Sequence, residues 1–301
     1  MVESLKQEQE IVAAAVSGDQ KALEKLLNSV QDMVFNLSLR MLGLLPDAED
    51  ATQEILIQVM THLSSFRMES SLNTWVFRIA VNHLKRYRKG MFSQHSLSFE
   101  EYGEDIISGR EKDAPDLSGG VDRKLLEREL KLSCTNVMLQ CLDTESRCVY
   151  VLGTMFRLDS RITAQILGFT PEAYRQRLSR VRRKGASFLA EYCGLSGSGS
   201  CSCSRRINYA VQTHRIAPSR LVFQNLKECG YEEIVSCTDA MEQLDELSQL
   251  FADLPAYRTP EHTVKWLREL MASKSFSTVR DGGKAESRLD IVQNQNYEKG
   301  V

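Results

Sequence analysis

Proline is scarce in this chain, six residues in 301, and stretches that alternate apolar with polar residues are scarcer still. Both absences argue against a turn-rich β architecture and leave room for long uninterrupted helices. No apolar run approaches the roughly 18 residues that a membrane span needs. The opening stretch MVESLKQEQE is too polar for the core of a secretory leader. The expectation is a soluble, cytoplasmic protein with no membrane contact. Eight cysteines fall short of a disulfide scaffold, so in a reducing compartment they stay reduced or bind metal. A dominant charge is missing too. The 38 basic and 40 acidic side chains give a formal net charge of −2, which at face value argues against a nucleic-acid partner. What remains is ordinary globular composition, 42% hydrophobic and 26% charged, in a chain long enough for two or three domains.

Helical periodicity fills the space that strands leave. Leu23, Leu26, Leu27, Val30, Met33, Val34, Leu37 and Met41 follow i, i+3, i+4, i+7 spacing and form one apolar stripe. Gly18 and Asp19 read as the stop of one helix and the N-cap of the next. After the Pro46-Asp47 turn, Ala51, Ile55, Val59 and Leu63 continue the pattern, and a further helix begins near Leu72 beyond the Ser-rich break at 64–71. Residues 91–122 differ: five glycines and prolines, eight acids and two bases make a linker of local charge −6. Helical pattern resumes at 121–141, 144–156, 161–167 and 171–192. A Gly/Ser cluster at 194–200 separates the last third, where helices are expected at 218–229, 238–252 and 261–271 and a disordered tail from 273. The fold class expected is all-α.

Resolved along the chain, the near-zero charge comes apart. Between Val76 and Lys89 stand five bases and no acid; between Pro171 and Gly185 stand six bases and one acid. Such concentration on two helices is the electrostatic footprint of phosphate binding, although a charge run is otherwise just a solvated helix face. The second run follows the layout of a helix-turn-helix: a short helix ending at Gly168, Thr170 as cap and Pro171 in the first helical position. Ala164, Ile166 and Leu167 would pack against Leu178 and Val181. Glu172, Tyr174, Arg175 and Arg177 would project toward base edges. Ahead of the first run lies an acid-rich helix with Asp47, Glu49, Asp50, Gln53 and Glu54, either a solvated face or a dock for a basic partner helix.

The stretches Asp47-Ala-Glu-Asp-Ala-Thr-Gln-Glu-Ile and Phe66-Arg-Met-Glu-Ser-Ser-Leu-Asn-Thr-Trp-Val-Phe-Arg-Ile-Ala-Val-Asn82 resemble region 2 of the extracytoplasmic-function sigma factors of the sigma-70 family. Residues 142–189 resemble region 4 of the same family. The resemblance implies two helical sigma domains, with region 2 in 1–90, an acidic linker in 91–122 and region 4 in 123–192. It implies that Asp47, Glu49, Asp50, Gln53 and Glu54 bind core RNA polymerase. The loop 64–71 and the helix that follows would recognise and melt the −10 promoter element, through Trp75, Arg78, Asn82, Lys85, Arg86 and Arg88. Trp75 is open to a core role as well. Tyr174, Arg175, Arg177, Arg180, Arg182 and Arg183 would read the −35 element as duplex, and the acidic linker would thread the polymerase's RNA channel. The chain departs from the family pattern at Arg161, Ile162 and Thr163, just before the turn.

About 110 residues lie beyond a minimal sigma factor of this class. Cys193, Cys201 and Cys203 resemble the cysteine-rich extension found in a subset of these proteins, here assigned to 193–272. Three thiols within eleven residues suit a soft metal such as zinc, completed by His214, Cys229 or Cys237, or a redox pair. Cys134, Cys141 and Cys148 read as small buried apolar residues. No cofactor is required for initiation and no catalytic residue is expected. Promoter DNA and bacterial core polymerase are the expected partners, with a separate anti-sigma protein a candidate. Two rivals remain: a helix-turn-helix regulator that works without polymerase, and a metal-dependent enzyme built on the C-terminal cysteines.

Overall fold

The computed structural model describes residues 2–87, 97–108, 116–196, 199–230 and 255–273, with backbone alone for 2–6. The first four helices follow the apolar stripes and their punctuation. Helix α1 (Val2–Ser17) stops at Gly18, whose φ of +105° suits glycine, and Asp19 accepts hydrogen bonds from the backbone N–H groups of Lys21 and Ala22 to open α2 (Gln20–Leu42). Gly43, at φ +81°, closes α2 by donating its N–H to Leu39 O at 2.8 Å. Pro46 lies in the first turn of α3 (Leu45–His62), and the Ser71 hydroxyl caps α4 (Leu72–Arg86) by accepting from the Thr74 N–H. Leu27, Val30 and Val34 of α2 pack with Ala51, Ile55 and Val59 of α3 and Val76 and Ala80 of α4, all fully buried. Burial of such side chains supplies roughly 1.5–3 kcal/mol each.

The expected acidic linker is in part a folded element. Residues 99–107 form α5 (Phe99–Ile107), opened by a capping box in which Ser98 and Glu101 exchange side-chain-to-backbone hydrogen bonds. Phe99, Tyr102 and Ile106 face inward, and Phe99 and Tyr102 pack on Phe188 with ring centroids 4.9 and 5.6 Å apart. One of its carboxylates is also engaged: Asp105 pairs with Arg206 and Arg215 and accepts from the Tyr209 hydroxyl. The reading of 97–108 as free polymerase-threading linker is thereby corrected; residues 88–96 and 109–115 lie outside the described residues.

Next come α6 (Arg123–Gln140), α7 (Thr144–Tyr150) with a π-helical turn at 151–155, α8 (Ser160–Leu167) and α9 (Pro171–Tyr192). Gly168, at φ +77°, makes the turn between α8 and α9. A further helix, α10 (Cys203–Gln212), packs on α6. The helix expected at 218–229 is absent. In its place stand a 3₁₀ turn at 223–225 and strand β1 (Glu228–Cys229), antiparallel to β2 (Ala256–Tyr257). The cause lies in Glu129 of α6, a buried carboxylate that accepts the backbone N–H groups of Val222 and Phe223 and takes those donors away from a helix. Helix α11 (Glu261–Ala272) closes the described chain, as expected for 261–271. The helix expected at 238–252, Cys237 and the tail from 274 lie outside the described residues.

The boundaries drawn at 90, 122 and 192 do not separate independent cores. One apolar cluster runs from Val12 through Val76 and Leu178 to Leu267 and Met271. Helix α4 lies against α8, and α2 against α6. Arg147 joins two helix ends: its guanidinium donates to Met41 O at the end of α2 and to Leu139, Gln140 and Leu142 O at the end of α6. Carbonyls at helix C-termini carry partial negative charge, so they suit this half-buried cation, which Asp143 also favours. Burial still lowers the Arg147 pKa to about 10.

Candidate nucleic-acid interface

Helix α4 sorts its side chains by period. Val76, Phe77, Ala80, Val81 and Leu84 go inward; Asn82 and Arg86 are exposed, and Arg78 and Lys85 half-exposed. These four lie on the outer side of the helix. Arg88 lies outside the described residues. Trp75 is half-buried against the core, its ring tilted over Phe66 with centroids 5.2 Å apart, a placement that suits its packing reading. The loop before α4 is exposed from Arg67 to Glu69, and Met68 holds φ +59°. A left-handed, unbranched apolar residue at a loop tip is uncommon, and such conformations cluster at functional sites.

On α3 the carboxylates crowd one another. Burial and the neighbouring Asp50 charge raise the Asp47 pKa, and burial with the charges of Asp47, Asp50 and Glu54 pushes Tyr87 to about 12. Asp50 is exposed, and Asp47, Glu49, Gln53 and Glu54 are half-buried. Glu54 pairs with His83 at 3.3 Å and Glu49 with His262 at 3.1 Å.

The six residues assigned to the −35 role divide. Arg175, Arg180 and Arg183 of α9 are exposed, Arg175 donating to Ser160 Oγ at 3.3 Å and Arg180 to Gln176 O at 3.4 Å. Tyr174 is not: it is 1% exposed, and its hydroxyl donates to Val149 O at 3.4 Å. Arg182 turns back to the π-helical turn and donates to Thr154 Oγ1 and Gly153 O, both at 3.2 Å. Arg177 lies over the Phe169 ring and pairs with Glu145. Tyr174 and Arg182 are thus corrected to packing roles. Gly153 makes their packing possible, because a Cβ there would fall 2.1 Å from the Tyr174 hydroxyl.

Cys193, Cys201 and Cys203 were expected in an open Gly/Ser loop. They are instead half-buried and line one cavity of about 50 Å³ together with Tyr102, Phe188 and Cys134. Cys193 and Cys201 form a parallel bridge, with Gly194 N donating to Cys201 O at 3.1 Å and Cys201 N to Tyr192 O at 3.0 Å. Burial, then the neighbouring thiols, pushes Cys203 up to about 12. Among the described residues no three His, Cys, Asp or Glu side chains converge closely enough to hold a metal ion, and Cys237, one of the residues offered as a ligand, lies outside them. Of the residues offered as completing ligands, His214 is exposed and Cys229 lies in β1. Cys134 was expected to be inert packing; the Tyr102 hydroxyl lies 2.9 Å from its sulfur, in the cavity wall. Cys141 and Cys148 are buried, as expected.

Sequence reasoning passed over Asp32, Asn36 and Arg40. They stand at i, i+4 and i+8 on α2, three polar residues inside an otherwise apolar face, and all three bond to residues 255–259. Their spacing was the available signal.

The family model described as Sigma-70 region 2 matches residues 26–90. Over 73 residues the chain is 37% identical to the ECF RNA polymerase sigma factor SigW of Bacillus subtilis, covering 24% of this chain and 39% of that protein. Over 182 residues it is 27% identical to the RNA polymerase sigma factor CnrH of Cupriavidus metallidurans, covering 60% of this chain and 92% of that one. The chain thus spans about two fifths of SigW and most of CnrH. A solved structure of CnrH in complex with the cytosolic domain of CnrY aligns with a TM-score of 0.44 at 22% identity, over 60% of this chain and 96% of the other. Residues 26–90 thus match region 2 of the sigma-70 family, and a helix-turn-helix follows at 160–192.

Proposed function

We propose that this protein is an alternative sigma factor, which brings core RNA polymerase to particular promoters and starts transcription there. The observation that carries the reading is one chain presenting a crowded carboxylate helix and two outward cationic helices, the first two of these within the region 2 match. Asp47, Glu49, Asp50, Gln53 and Glu54 dock the polymerase. Arg78, Asn82, Lys85 and Arg86 hold the opened −10 strand, with the Met68 loop beside them; Arg175, Arg180 and Arg183 meet the −35 duplex. Cations on phosphates supply affinity, and base-edge contacts supply the choice of promoter. The protein works in the cytoplasm, is not an enzyme, and needs no cofactor to direct initiation, since the polymerase performs the chemistry. A separate anti-sigma protein is a further candidate partner.

The arrangement of the two modules bears on when this happens. Elements about 25 base pairs apart lie ~85 Å apart along a straight duplex. Helices α4 and α8, one from each module, are in direct contact, and packed helices sit about 8–10 Å apart. The packed arrangement therefore cannot read both elements, and initiation requires the modules to part. The extension governs that step in this reading. Its thiol cavity joins α5, α6 and α9 to the extension, so oxidation of Cys193, Cys201 or Cys203 would disturb that joint.

Run-off transcription with purified core polymerase tests the proposal. Specific initiation that requires this chain is expected. Promoter binding by the chain alone, with no effect on the polymerase, would instead identify a regulator that acts without it.

A further inference from the structure

The carboxylate surface of region 2 is partly taken up by the protein's own C-terminal segment. Strand β2 and the residues after it run along the Asp32–Asn36–Arg40 stripe of α2. Asn36, fully buried, receives the Tyr257 N–H at 2.8 Å and donates to Tyr257 O at 2.6 Å, a side-chain amide imitating one rung of a β-ladder. Asp32 accepts the Thr259 N–H and hydroxyl at 2.8 and 2.7 Å and pairs with Arg258 at 2.9 Å. Arg40, also fully buried, donates to Pro255 O at 2.7 Å.

Helix α11 then crosses to the start of α3. His262 meets Glu49 at 3.1 Å, Arg268 meets Glu24 at 2.9 Å, and Gln20 donates to Met271 O at 3.2 Å. Thr263, Leu267 and Met271 are buried beneath. The exposed ion pairs add little energy, but they set which surface the segment selects; the apolar contacts and the buried stripe hold it. Four basic or imidazole side chains against two acids give the segment the character of the cationic partner that α3 is suited to receive.

We propose that residues 255–273 occupy the polymerase-docking surface of region 2 from within the same molecule, so that this segment and core polymerase exclude each other. The inference rests on the sigma-factor reading above and adds the means of its control. A tethered competitor acts at an effective concentration in the millimolar range, so even a weakly held segment lowers apparent affinity for a partner in solution.

The test uses the full chain carrying Arg258→Glu, His262→Glu and Arg268→Glu together. These side chains are 38%, 69% and 59% exposed, so their reversal leaves the core intact while setting like charges against Asp32, Glu49 and Glu24. Binding to core polymerase is measured for both proteins, with hydrogen exchange of the 255–273 amides in the wild type before and after polymerase is added. Expected are about tenfold tighter binding by the variant and faster exchange of the segment when the wild type engages polymerase. Equal affinities, or a segment that stays protected in the complex, overturn the inference while leaving the sigma reading standing. If neither protein binds polymerase, the sigma reading fails and the inference falls with it.

Discussion

Helix α3 offers carboxylates and helix α9 offers guanidiniums, and the chain treats the two differently. The cations of α9 are divided mainly by helix period: Arg175, Arg180 and Arg183 outward, Tyr174, Leu178 and Val181 inward, while Arg177 is held by Glu145 and Arg182 by the π-helical turn. Two carboxylates of α3 are engaged by side chains from elsewhere, Glu54 by His83 of α4 and Glu49 by His262 from more than 200 positions along the chain. A charged run therefore does not report its own availability. On α9 the neighbours in sequence decide it; on α3 a distant segment does.

The largest expected effect falls on α2, the helix against which α3 packs. Arg40→Ala should strip Asn136 and Pro255 O of a buried donor and cost about 3 kcal/mol in chemical denaturation. An effect under about 0.5 kcal/mol would dissolve the claim that this side is held by distant residues. Next comes Gly153→Ala, which forces a methyl group onto Tyr174 and Leu178 and should cost about 1–3 kcal/mol through overpacking. Because Arg40 bonds to Asn136 and Pro255 while Gly153 packs on Tyr174 and Leu178, the double variant should be additive within about 0.5 kcal/mol.

Adjacent arginines on α9 sharpen the contrast. Arg182→Ala should lower stability by roughly 1 kcal/mol through its lost bonds to Thr154 and Gly153. Arg183→Ala should leave stability nearly unchanged and reduce the salt slope of −35 DNA binding by about one. Smallest is an effect that disappears at acid pH. Burial alone would push Asp105 up, but the Tyr209 hydroxyl and the Arg215 and Arg206 guanidiniums outweigh it and hold the carboxyl below its usual value. A lowered carboxyl stabilises the fold above its unfolded pKa of ~3.9 and loses that contribution as pH falls through the folded value. Asp105→Asn should therefore be less stable than wild type at neutral pH, with the difference closing below about pH 4.

Much of this was legible from residue spacing. The caps at Asp19, Ser71 and Thr170 and the stripes of α2 to α4 follow local chemistry, and the structure keeps them. Tyr174 was readable as well, since Tyr174, Leu178 and Val181 stand at i, i+4 and i+7, a spacing that outranks the expectation attached to a recognition helix. In 91–122 the charge hid the pattern: Phe99, Tyr102 and Ile106 fall at i, i+3 and i+7, and Ser98 with Glu101 makes a capping box. The stripe Asp32–Asn36–Arg40 was visible as an anomaly, but nothing local says that its partners lie at 255–259. The same holds for Glu129, which undid the helix expected at 218–229. Polar side chains that satisfy remote backbone have no short-range signature.

Arg40 also carries a consequence for synthesis. Its partner carbonyl at Pro255 lies 215 residues further along. At about 5–20 residues per second, ~10–40 s pass between the making of the guanidinium and the making of its acceptor. During that interval the growing chain holds a complete region 2 without the segment that later covers it, so a nascent molecule is born with its acidic helix accessible and matures into the guarded form.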